Sequence, residues 1–186
     1  MVSNFLITLL MEKRALIAPF FFALGLFTTS VIGADFRADK WYQTGYDYSQ
    51  QGRNDDAFHW MMRAAEAGHM AAQNNIGLSY LYGLGVKQDD KKAFEWFKKS
   101  AKQGLPYAQS ELAMLYYRQG AIKQAQQWWL IAANANDEYA QFNLASLFLE
   151  QKNLKKAYYW FQQANQNKHP NAQVALEKLK EKKYVK

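Results

Sequence analysis

Three histidines, His59, His69 and His169, are the side chains best suited to hold a metal or to move a proton near neutral pH, and the chain contains no cysteine. His59 adjoins Trp60 in a helical stretch, whereas His69 and His169 recur in equivalent turns about three copies apart in a repeating pattern. Residues so placed do not converge, so they read as surface or turn histidines and no metal is expected. Gly83-Leu84-Gly85 follows a helical pattern rather than a strand, unlike the glycine-rich loops that cradle phosphate. Serine, histidine and acid residues never gather at nucleophile spacing, and no Ser-x-x-Lys occurs. Without cysteine there is no thiolate nucleophile, no disulfide and no lipobox. Neither catalysis nor a cofactor is expected; the chemistry is that of binding.

The elements that would position a binding site are legible as a repeat. Trp60, Trp96, Trp128 and Trp160 each stand three residues after an alanine (Ala57, Ala93, Ala125, Ala157) and four before a small residue (Ala64, Ser100, Ala132, Ala164). Upstream of three of them runs Ala-x-x-x-[Ile/Leu]-[Gly/Ala]-x-x-[Tyr/Phe], starting at Ala72, Ala108 and Ala140; Lys40 opens a degenerate first copy and Ala172 a truncated last one. The steps from Lys40 to Ala72, Ala108, Ala140 and Ala172 are 32, 36, 32 and 32 residues. A period in this range specifies two-helix units stacked side by side.

Within each copy the fixed positions recur at three- and four-residue intervals, one face of a helix. The first helix buries its Ala, Leu/Ile and Tyr/Phe, and its small residue (Gly45, Gly77, Ala113, Ala145) admits the partner helix. The second helix is expected to bury its Ala and its Trp. Gly68, Gly104 and Asn136 fall where a left-handed residue ends a helix, Gly52 and Gly120 mark inter-helix turns, and Asp137 and Asn153 are N-cap candidates. Pro106 and Pro170 fall where first helices begin. About nine helices and no sheet are expected, in an all-α solenoid of copies at 39–68, 69–104, 105–136 and 137–168 with a capping helix at 169–186.

The copy running from Ala72 through Gly83-x-Gly85-Val86, Asp89, Ala93, Trp96, Ser100 and Ala101 to Gly104 resembles a Sel1-like repeat, a branch of the tetratricopeptide superfamily. The other copies lack the Gly-x-Gly-Val insertion and are closer to tetratricopeptide length. The resemblance covers nearly all of the chain beyond Asp39. It implies an α/α superhelix used for protein–protein interaction, often in bacterial envelope, secretion or signalling settings. Some cysteine-rich relatives are described as β-lactam-binding or hydrolytic; here the cysteines are absent.

The resemblance also implies that first helices line a concave groove. Counted from the cassette alanine, the groove-facing offsets give Tyr42, Tyr46 and Gln50 in the first copy, and Asn74, Leu78, Leu81 and Tyr82 in the second. The third gives Tyr107, Ser110, Met114, Tyr117 and Arg118, and the fourth Tyr139, Phe142, Ser146 and Glu150. An aromatic, weakly charged groove suits a protein or peptide segment anchored by apolar side chains. Asn75 and Asn143 stand where relatives use an amide to hold peptide backbone, but Glu111 breaks that pattern between them.

Before Asp39 the chain changes character. Met11-Glu12-Lys13-Arg14 precedes an apolar run to Phe27, then Thr28-Thr29-Ser30 and an end at Gly33-Ala34. This reads as a secretory signal over 1–34, with Met11 as the true start and cleavage near Ala34. The mature array, 35–186, is then periplasmic or secreted, either as an envelope adaptor or as a host-facing effector. The alternative is an uncleaved anchor in the inner membrane, the only membrane contact expected. The formal charge is +7, with a C-terminal cluster at Lys178, Lys180, Lys182, Lys183 and Lys186. The reading is a solvated helix end on a monomer, and nucleic acid is not an expected partner of an exported chain.

Overall fold

Helices of one length follow from the repeat. The computed structural model describes residues 36–181, so the secretory segment and Lys182, Lys183 and Lys186 lie outside the described residues. These form nine helices and no strand: α1 over 36–50, then α2 (Asn54–Glu66), α3 (Met70–Tyr82), α4 (Asp90–Lys102), α5 (Pro106–Arg118), α6 (Ile122–Asn134), α7 (Glu138–Glu150), α8 (Leu154–Gln166) and α9 (Ala172–Glu181). Each of α2 to α8 is 13 residues long. Among the described residues no helix is long and apolar enough to cross a membrane.

Local sequence explains the ends. Asp89 caps α4 by accepting from the backbone N–H of Lys91 and Lys92 at 3.0 Å each, with Asp90 in the first turn and Lys99 and Lys102 in the last. Asp137 and Asn153 accept from Ala140 N at 2.7 Å and Lys156 N at 3.2 Å, as their sequence positions predict. Gly68, Gly104 and Asn136 end second helices at φ 96°, 97° and 65°, and Lys168 takes the same place at 67°. Pro106 opens α5, but Pro170 lies in the turn ahead of α9 rather than in its first turn.

The helix pairs α3–α4, α5–α6 and α7–α8 stack in chain order behind α1 and α2, which meet at Gly45 and Met61, and α5 also touches α7. That contact sets the first helices of neighbouring copies side by side. Two core clusters run through the stack, and Tyr116 and Trp128 pack against both.

The structure corrects one expectation about that core. The repeated Trp60, Trp96, Trp128 and Trp160 are only half-buried; the next residue in each copy, Met61, Phe97, Trp129 or Phe161, is the one enclosed. The reason lies opposite. A Cβ added to Gly45 would meet Met61 Cγ at 2.6 Å, and one added to Gly77 would meet the Phe97 ring at 2.7 Å. The small position of the first helix is therefore a socket for the residue four after the alanine, not three. The tryptophans flank the core and carry cations: Lys99 Nζ lies 3.8 Å from the Trp96 ring centre, and Arg63 lies over both Trp41 and Trp60.

A second device runs along the stack. Gln73, Gln109 and Gln141, each just after the cassette alanine, are buried and donate from Nε2 to the carbonyls of Ala65, Ala101 and Ala133 on the preceding second helix, at 3.1, 3.2 and 3.0 Å. The free oxygen of Gln73 accepts from Gln103 Nε2 at 2.7 Å, and that of Gln141 from Asn167 Nδ2 at 2.9 Å. At Gln109 the equivalent donor position is Ala135, and Gln109 Oε1 is buried without a protein partner. Ala135→Gln is therefore expected to raise stability by about 1 kcal/mol, the usual net worth of one such bond. A urea midpoint no higher than that of the unaltered chain would refute this.

The four extra residues of the longest copy form a loop, Gly83 to Val86, that closes on the start of α2. A Cβ at Gly85 would collide with the carbonyl of Asn54, so the backbones touch there.

Candidate functional site

The candidate site is the first-helix face. Of the rings predicted to line it, Tyr82, Tyr139, Tyr46 and Tyr107 are open, at 65%, 46%, 43% and 40% exposure. Arg118 is exposed and reaches Asp90 of α4 at 3.4 Å. Leu78, Met114 and Tyr117 are half-buried and line clefts. Three predicted positions are buried instead: Asn74, Leu81 and Ser110.

A shared kind of contact accounts for Ser110 and for the half-buried Tyr42 and Phe142. The residue two after the cassette alanine meets the one that precedes the next first helix. Tyr42 stacks on His69 with ring centres 4.4 Å apart, Ser110 hydrogen-bonds Asp137, and Phe142 stacks on His169 at 4.1 Å. Tyr42 and Phe142 are thus seam residues between copies rather than open groove residues. His69 and His169 also serve the backbone: each Nδ1 accepts an N–H, from Ala72 at 3.1 Å and Asn171 at 3.2 Å. Burial pushes the His169 pKa down, only partly offset by Glu138. Among the described residues no group of three or more His, Asp or Glu is placed to hold a metal.

Two clefts open at equivalent points. One of about 180 Å³ lies between the first and second copies, walled by Ser49, Asn75, Leu78 and Leu84 and floored by Ala57 and Met61. One of about 80 Å³ lies between the third and fourth, walled by Met114, Tyr117, Asn143, Ser146 and Glu150 and floored by Trp129. Asn75 and Asn143 occupy the same repeat position. Tyr117 Oη donates to both carboxylate oxygens of Glu150 at 2.9 and 3.0 Å, and this bond is the main cause of its raised pKa. Its ring also leans on Trp129 at 5.5 Å, so Tyr117 is part wall and part packing.

Between the clefts the chemistry changes. Glu111 replaces asparagine, and burial followed by the Asp137 charge raises its pKa, while a hydrogen bond with Tyr107 lowers it. Burial pushes the Tyr107 phenol up to about 12, with smaller contributions from the charges of Glu111, Tyr82, Tyr139 and Asp137. Glu111 had looked like no more than a departure from pattern. The repeated Ala-Gln dipeptide was a legible sign of the buried amides, but periodicity in apolar residues draws the eye past it.

Helix pairs in register, with rings and clefts on their first-helix face, define a helical-repeat scaffold of the solenoid class. The Sel1 repeat matches residues 37–69, 71–105, 106–137 and 138–169, and the chain belongs to the Sel1 repeat family. It is similar to a Sel1 repeat protein from Oxalobacter formigenes, 27% identical with a TM-score of 0.71 over 76% of this chain and 63% of that one. A protective antigen of uropathogenic Escherichia coli with the same fold is 27% identical, with a TM-score of 0.72 over 75% of this chain and 32% of that one. In sequence, chitin synthase regulatory factor 3 of Schizosaccharomyces pombe is 33% identical over 42% of this chain and 8% of its own length. HRD3B of Arabidopsis thaliana, an ERAD-associated E3 ubiquitin-protein ligase component, is 40% identical over 31% of this chain and 10% of its own length. The chain thus spans a tenth or less of these curated relatives. Proteins built on this repeat are generally interaction adaptors.

Proposed function

We propose that this chain is an exported, non-catalytic adaptor that holds a peptide segment of a partner protein along its first-helix face. The observation that carries the reading is the set of open rings, Tyr46, Tyr82, Tyr107 and Tyr139, beside two clefts able to take apolar side chains. Exposed aromatics are an aggregation liability unless they serve binding, and a few such anchors dominate a typical interface. Export rests on the Lys13-Arg14 segment and the apolar run that follows it.

The test is co-purification of a tagged copy from the cell-envelope fraction. Tyr46→Ala and Tyr82→Ala should each lose the co-purifying partner, by about 2 kcal/mol of affinity, while thermal melts stay unchanged. Tyr117→Ala is a poor probe because it also unpacks Trp129. Recovery of the partner unchanged by both variants would overturn the groove reading, and recovery of the chain from the cytosol alone would overturn export.

A further inference from the structure

The two clefts occupy equivalent points of the repeat but differ in chemistry. Asparagine is common to both, as Asn75 in the larger and Asn143 in the smaller. The larger is floored by Ala57 and Met61, whose side chains carry no N–H or O–H. The smaller is floored by Trp129 and walled in part by Glu150. The repeat does not require this floor, because the same position is Met61, Phe97 or Phe161 in the other copies. Of the four, Trp129 alone brings a hydrogen-bond donor.

That donor is unmatched. Trp129 is 2% exposed, and its indole N–H is buried without a protein partner. Native proteins leave few buried polar groups unpaired, and an indole donates but never accepts, so only an incoming acceptor satisfies it. Glu150 stands in the wall of the same cleft. It accepts from Tyr117 Oη at 2.9 and 3.0 Å and takes part in none of the ion pairs found among the described residues. Its remaining lone pairs are open to a second donor.

Together these groups select among small visitors. A carboxylate would accept from the indole but meet the like charge of Glu150. An ammonium would suit Glu150 and give the indole nothing. An alkyl group would fill the space and leave the indole unpaired. A primary carboxamide answers both, since its oxygen accepts from the indole and its NH2 donates to Glu150 or to the Asn143 carbonyl. The volume of about 80 Å³ is that of roughly two or three waters at about 30 Å³ each, which suits a single side-chain head. Met114 and Leu147 line the cleft as well and offer apolar surface to the methylenes behind the head.

We propose that the cleft of Trp129, Asn143 and Glu150 is a seat for the carboxamide of a glutamine or asparagine in the bound segment. The proposal rests on the reading that a peptide lies along the first-helix face. It gives that peptide a polar anchor at the smaller cleft beside an apolar one at the larger.

The test is selection of a random octapeptide phage library on the full-length protein, followed by synthesis of the most enriched sequence. Glutamine or asparagine should dominate one position. Replacing it by the apolar residue of the same length, methionine or leucine, should weaken binding at least about tenfold, since a site built around a hydrogen bond rejects the analogue that lacks it. The corresponding acid should lose as much. Trp129→Phe should bind the amide and apolar peptides alike, with its urea midpoint little changed. A merely structural role for Trp129 would instead weaken both peptides together and keep the preference. Glu150→Gln, which retains an acceptor for Tyr117, should recover much of the loss of the acidic peptide. If the unaltered protein binds amide and apolar peptides equally, or the amide preference survives Trp129→Phe, the seat is wrong, and the groove reading stands so long as capture still needs Tyr46 and Tyr82. If the preference vanishes in Trp129→Phe while capture is indifferent to Tyr46→Ala and Tyr82→Ala, the seat stands and the ring anchors fall.

Discussion

Replacing Trp129 or Phe97 with alanine should destabilise the array by about 3–5 kcal/mol, the range for truncating an enclosed aromatic. Phe97 fills the socket at Gly77, Trp129 shares a core cluster with the equivalent Ala113, and each sits mid-array with a copy on either side. Trp96→Ala and Trp128→Ala should cost less, because those rings keep one face toward solvent. Trp129→Phe should be mild: phenylalanine holds this position at Phe97 and Phe161, and the change removes an indole N–H that is buried without a protein partner. Urea denaturation of the four alanine variants decides the order. A larger loss at Trp96 or Trp128 than at Phe97 or Trp129 would mean that the socket is misassigned.

The second large effect is expected at Gly85. Its φ of 67° disfavours any side chain, and a Cβ there runs into the backbone at Asn54, which has no rotamer to yield. Gly85→Ala should cost about 3 kcal/mol, from backbone strain together with displacement of the loop from α2. Gly83→Ala is the control. It shares the positive φ at 70°, but its nearest neighbours lie 3.5 and 3.7 Å away, so only the conformational penalty of about 1 kcal/mol applies. Faster amide exchange in α2, absent in the Gly83 variant, would locate the damage at the loop contact. Equal melting of the two variants would refute the account.

The repeat itself was readable because stacked helix pairs impose the same small and large residues at each period, and the termini carry their own caps. The buried aromatic was not. Each second helix offers two adjacent large side chains, and the one that never varies is the more conspicuous. Yet the socket selects by geometry and accepts Met61, Phe97, Trp129 or Phe161, so the enclosed position varies while its half-open neighbour stays tryptophan. Which first-helix side chains are exposed was legible in part for a related reason. Offsets along a helix place Tyr82, Tyr107 and Tyr139 outward correctly, but they do not encode how far one copy is rotated on the next. The seams between copies bring Tyr42 and Phe142 onto histidines and Ser110 to Asp137.

The glutamine clasps bear on how such a chain could change over generations. Gln73, Gln109 and Gln141 fasten adjoining copies by one rule, an amide reaching a helix carbonyl, so a duplicated copy would meet a compatible edge wherever it was inserted. The contacts beside the clasps follow no common rule: tyrosine on histidine at one seam, serine with aspartate at another, phenylalanine on histidine at a third. Exchanging two copies would set Phe142 against a carboxylate or Ser110 against an imidazole. Recombination can therefore lengthen this array more readily than it can permute it.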